Sequence, residues 1–107
     1  MRAGTRFDGS NVTTPVVEND VEQRRFVIRD TQGTAELRYN VIGSQIILEH
    51  TEVPRPLEGR GLAAALARTG LDYARDNKLT VIPVCPFVIS YLKRHPEYQA
   101  LLRQSPA

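Results

Sequence analysis

The chain has no tryptophan, one cysteine and one methionine in 107 residues. A lone cysteine excludes an internal disulfide, so the fold must stand on its core, and it fits a reducing compartment. Nor is there an apolar run long enough to span a membrane. The N-terminal stretch lacks the apolar centre of a signal peptide, so the Asn11-Val12-Thr13 sequon reads as chance and the expected location is cytoplasmic. There is no excess of one charge either. Fourteen Lys and Arg against twelve Asp and Glu give a net charge of +2. The basic residues are scattered rather than clustered, which argues against nucleic acid as a partner. Two histidines and one cysteine make no convincing metal set, so no metal is expected.

What remains is ordinary soluble-protein composition, 41% hydrophobic and 24% charged, in a length that suits one domain with one core. Residues 1–20 are polar and irregular and read as a flexible segment before a domain at 21–104. Thr13 to Val17 is a weak candidate for an edge strand because of Pro15. Glu22 to Arg29, Thr34 to Ile42 and Gln45 to Val53 read as strands. The middle one has the clearest alternation, Ala35, Leu37, Tyr39 and Val41 against Thr34, Glu36, Arg38 and Asn40. Short turns at 30–33 and 43–44 imply an antiparallel meander.

Leu62 to about Asn77 reads as a helix, with Leu62, Leu66, Thr69, Gly70 and Tyr73 to one side and Arg68 placed to pair with Asp72. Leu79 to Val84 is apolar on both parities and reads as an inner strand, with Pro83 as a blemish. A strand, helix, strand order sets two strands parallel. Pro86 suits the first turn of a helix to about Arg94, and His95-Pro96 breaks it before a last helical piece from Glu97 to Arg103.

The stretch His50 to Leu66 organises the chain. A strand ends there, Pro54 and Pro56 stop its ladder, and Gly59-Arg60-Gly61 opens the helix. Such a turn leaves backbone N–H groups unpaired at the positive end of the helix dipole, an arrangement that suits a phosphate. The same glycines also serve a plain tight turn. His50 and Glu52 lie two apart on a strand and so share a face. Histidine has the intrinsic pKa of a base near neutrality, whereas Glu52 requires burial to reach it. Cys85 stands just before a helix N-terminus, where a thiolate is stabilised.

Three pieces in this order, His50-Thr51-Glu52-Val53, then Gly59-Arg60-Gly61-Leu62-Ala63, then Cys85-Pro86-Phe87 with Tyr91-Leu92 and His95-Pro96-Glu97-Tyr98, resemble the GNAT superfamily of N-acetyltransferases, and within it a small single-domain GNAT-like family. The resemblance covers about Phe26 to Leu102. It implies an α+β fold with a central sheet splayed between the third meander strand and the strand at Leu79 to Val84. It implies acetyl-CoA as co-substrate, with the pantetheine arm along Glu52 and Val53 and the pyrophosphate on Gly59, Arg60, Gly61, Leu62, Ala63 and Ala64. It also implies an oxyanion donor in the Val53 N–H, Tyr91 as the acid for the departing thiolate, and Cys85 near the thioester.

Glu58, Gly61 and Ala63 fill the family's cofactor-loop positions. Glu58 departs from the usual Gln or Arg, and Arg55 and Arg60 are the cations placed to offset it. Cys85 is either an acetyl acceptor in a two-step route or a small buried hydrophobe. His95 to Tyr98 is expected to fix the angle between the last helical pieces. The function implied is acetyl transfer to a small-molecule or protein amine. Non-catalytic readings, a CoA or acyl-CoA binding module or a protein-interaction domain, stand beside it. Neither the acceptor nor the oligomeric state is legible.

Overall fold

A computed structural model describes residues 15–102. Five strands form one sheet in sequence order: β1 (Glu18–Asp20), β2 (Arg25–Asp30), β3 (Gly33–Ile42), β4 (Gln45–Glu52) and β5 (Thr80–Pro83). Strands β1 to β4 are antiparallel, and β5 joins β4 in parallel after helix α1 (Leu62–Asp76). A single 3-10 turn, Arg55–Leu57, precedes α1. Helix α2 (Pro86–Arg94) follows β5, and a 3-10 segment, Pro96–Leu102, closes the described chain. This is the α+β architecture implied by the resemblance.

The meander forms because β3 alternates so regularly. Ala35, Leu37 and Tyr39 are buried, and they meet Phe26 and Ile28 of β2 and Ile46 and Leu48 of β4 in one core. Helix α1 lies on that face. Its buried side is Leu62, Ala65, Leu66, Ala67, Gly70, Leu71 and Ala74. Gly70 sets the closeness of the contact, since a Cβ there would stand 3.3 Å from Leu37 Cδ2 and 3.4 Å from Phe26 Cε2.

Four expectations change. The edge strand is Glu18–Asp20, not Thr13 to Val17; residues 15–17 are not strand, and 13–14 lie outside the described residues. The sheet thus begins before the expected domain start at residue 21. Strand β5 is at the end of the strand order rather than inside it. That explains Pro83: Val84 N–H donates to Leu48 O at 3.0 Å, so the neighbouring proline nitrogen points to the outer edge, where no ladder bond is lost. Finally, Asp72 does not pair with Arg68 among the described residues. It takes Arg75 at 3.2 Å and the Tyr98 hydroxyl at 2.7 Å.

Candidate active site

Strands β4 and β5 pair only from Gln45 to Leu48 against Thr80 to Pro83. Val84 and Cys85 N–H groups then converge on one acceptor, Leu48 O, both at 3.0 Å, and the chain turns into α2. Strand β4 continues to Glu52 with no partner on that side among the described residues. The sheet therefore splays, as the resemblance implies.

A register shift accompanies the splay. Leu48 faces Tyr39 and His50 faces Arg38, which leaves Glu49 as an extra residue in β4. Its consequence is a change of face. Unbroken alternation would carry His50 and Glu52 inward after Ile46 and Leu48. The bulge instead turns Thr51 and Val53 towards the core and His50 and Glu52 out, opposite Arg38 and Glu36. His50 Nε2 lies 3.8 Å from Glu52 Oε1, and their side chains are 61% and 68% exposed. Beside them Glu36 accepts from Arg25 at 2.8 Å and from Arg38 at 3.4 Å.

On the inner side a cleft of about 390 Å³ opens between the Pro54-to-α1 loop and α2. One wall is Val53, Leu57, Glu58, Gly59 and Gly61, running into Leu62, Ala63 and Ala64; the other holds Phe87 and Arg94. Leu57 is fully buried and pins the loop to the core. Gly61 caps α1 at φ 76° and Gly59 turns at φ 83°, the left-handed region that favours glycine. The first intrahelical bond runs from Ala65 N–H to Gly61 O at 3.1 Å, so the N–H groups before it are available to an anion.

Of the sequence-derived ligand positions, Val53, Gly59, Gly61, Leu62, Ala63 and Ala64 border this cleft. Arg60 does not. Its guanidinium lies 3.6 Å from Asp30 Oδ1, bracing the loop against the end of β2. Arg55 is also off the lining, so neither expected cation faces Glu58 across the cleft. Cys85 is buried, off the lining, with its sulfur 3.1 Å from the Thr51 hydroxyl. Tyr91 is buried in α2, its ring stacked on His95 with centroids 4.0 Å apart. Burial pushes its phenol above the ordinary tyrosine value, with Arg68 pulling against the shift, so it stays protonated at neutral pH. His95 caps α2 and accepts a backbone bond from Tyr98 N–H at 3.0 Å, which sets the angle between the last two segments.

Leu57, Phe87 and Arg94 are lining residues that the sequence reading missed. Phe87 and Arg94 are seven apart on a helix and so share a face, a signal present once Pro86 is taken as the helix start. Among the described residues no group of His, Cys, Asp and Glu can hold a metal, and no helix is long and apolar enough to cross a membrane.

A sheet opened at one strand pair, with a glycine turn and a helix N-terminus beside the opening, is the arrangement that the resemblance to N-acetyltransferases implies. Residues 25–101 match the family model of GCN5-related N-acetyltransferases, and the chain belongs to that family. It is 37% identical over 93 residues to Protein NATD1 of Mus musculus, covering 84% of this chain and 84% of that one. The Homo sapiens protein of the same name is also 37% identical, with 82% of its length covered. A GCN5-like protein from Staphylococcus aureus, solved by solution NMR, superposes with a TM-score of 0.64 at 26% identity, over 84% of this chain and 89% of its own.

Proposed function

We propose that the protein transfers the acetyl group of acetyl-CoA to an amine, from a small molecule or a protein. The observation that carries this reading is the cleft itself. Val53 follows a strand edge that is unpaired among the described residues, the Gly59 to Ala64 turn presents N–H donors beside it, and Phe87 lines the same cleft. An extended pantetheine arm can pair with a free strand edge, and the turn suits its pyrophosphate.

In the transfer the amine nitrogen bonds to the thioester carbon and the carbon–sulfur bond breaks. His50 or Glu52 takes the amine proton, directly or through water, from the outer face of the sheet. The Val53 N–H steadies the oxyanion. Tyr91 returns a proton to the thiolate. Cys85, held by Thr51, is the acceptor if the route passes through an acetyl-enzyme. The outer face around His50 and Glu52 is open, which fits a protein tail or a pocket completed by a partner.

A binding module without catalysis is the second reading. It is favoured by the exposure of His50 and Glu52 and by Tyr91 and Cys85 lying off the cleft lining. Calorimetric titration with acetyl-CoA and CoA, then intact mass and an amine screen, separates the two. Binding with acetyl transfer, or with an acetyl mass lost in Cys85→Ala, supports the enzyme. Binding with neither supports the module. Absence of binding overturns both.

A further inference from the structure

The cleft lining carries two charges of opposite sign, Glu58 and Arg94. Glu58 brings a negative charge to the wall where the glycine turn offers donors to a phosphate. The cations near it in sequence do not answer it: Arg60 is held by Asp30, and Arg55 does not reach the lining. Arg94 does reach it, from the last turn of α2, and forms no ion pair among the described residues.

We infer that Arg94 is the anion-recognising residue of this cleft, binding a phosphate of CoA across from the glycine turn and offsetting Glu58. The inference rests on the acetyl-CoA reading. A guanidinium is suited to it because its paired N–H donors match two oxygens of one phosphate. A plainer role for Arg94 is to stabilise the C-terminal end of α2 by its charge. Lys93 occupies the same last turn, is exposed and stays off the lining. It therefore separates the two roles, because a helix-end effect is shared by both residues and a ligand contact is not.

The test is calorimetric titration of the wild type, Arg94→Gln, Arg94→Lys, Lys93→Gln and Glu58→Gln with CoA, dephospho-CoA and pantetheine, at low and moderate salt. Thermal melts check that each variant is folded. Arg94→Gln is expected to weaken CoA binding about tenfold or more and to flatten its salt dependence. Arg94→Lys recovers part of the loss, Lys93→Gln matches the wild type, and Glu58→Gln tightens CoA. Pantetheine, which lacks the phosphates of CoA, is held equally by wild type and Arg94→Gln. A loss that persists with dephospho-CoA supports contact with the pyrophosphate, and one that vanishes supports contact with the 3′-phosphate. Unchanged CoA affinity in Arg94→Gln, or an equal loss for pantetheine, overturns the inference. Failure of the wild type to bind CoA overturns the acetyl-CoA reading and this inference with it.

Discussion

The Tyr98 hydroxyl donates to Asp72 Oδ1 at 2.7 Å, tying the C-terminal segment to the outer side of α1. Burial first, then the bond to Asp72, pushes the phenol from its ordinary 10 up to about 12. A phenol harder to ionise in the fold than in the free chain stabilises the fold in full below pH 10. That contribution is lost as pH rises through 12. Melting temperature is therefore expected to fall between pH 10 and 12. Tyr98→Phe is expected to flatten the fall while costing about 1 kcal/mol at neutral pH. An equally steep fall in the variant would shift the effect to Tyr39 and Tyr91, which burial also raises.

Gly70 is a packing glycine rather than a conformational one. It sits inside α1 in helical geometry, yet a Cβ would press on Leu37, Phe26 and, at 3.7 Å, Leu48. Gly70→Val adds two further carbons against the same three side chains. Overpacking of this kind costs about 1–3 kcal/mol. Denaturant titration is expected to show a lower midpoint. An unchanged midpoint would mean that α1 can move off the sheet without loss.

The contrast between Gly70 and Glu49 marks what the sequence can and cannot disclose. Helix α1, with Gly70 on its sheet-facing side, is legible because a periodicity of three to four and a run of small residues are local properties. Strands β2 to β4 are legible for the same reason, as is Pro86 at the start of α2. The bulge at Glu49 is not. It is set by register against β3, and no local pattern separates it from continuous alternation. Yet it decides which way His50, Thr51, Glu52 and Val53 face. The apolar run from Leu79 to Val84 misled for a related reason, against the signal of Pro83: an apolar strand reads as interior until its neighbours are known. Gly59, Gly61, Leu62, Ala63 and Ala64 could be placed at the cleft through the resemblance, because backbone donors at a glycine turn do not depend on distant side chains. The partner of Arg60 and the reach of Arg94 depend on side chains brought together from distant positions.

Gly61→Val is expected to weaken CoA binding strongly, through the backbone. Nothing lies within 4 Å of a Cβ built at Gly61, so steric contact with the protein is not the cause. Its φ of 76° is, because a β-branched residue there is strained by roughly 1–2 kcal/mol or more and will pull the turn towards another conformation. The N–H groups of the turn then lose their common aim. Calorimetry should show lost affinity, and thermal melts should show a fold still intact. Wild-type affinity would mean that the turn does not hold the ligand.

His50 and Glu52 can be separated as bases because each is exposed and neither borders the cleft. Replacing either should leave CoA affinity as it is, so any loss belongs to the acceptor side. His50→Ala and Glu52→Gln are to be compared by kcat/KM on whichever amine the screen yields. The residue that takes the proton should cost about 10²- to 10⁴-fold. The other should cost only a few-fold, through the contact between them. Near wild-type rates in both variants would remove this pair from the chemistry. The amine would then have to arrive already deprotonated, and the bulge that turns the two residues outward would serve only to turn Thr51 towards Cys85 and to bring Val53 to the cleft.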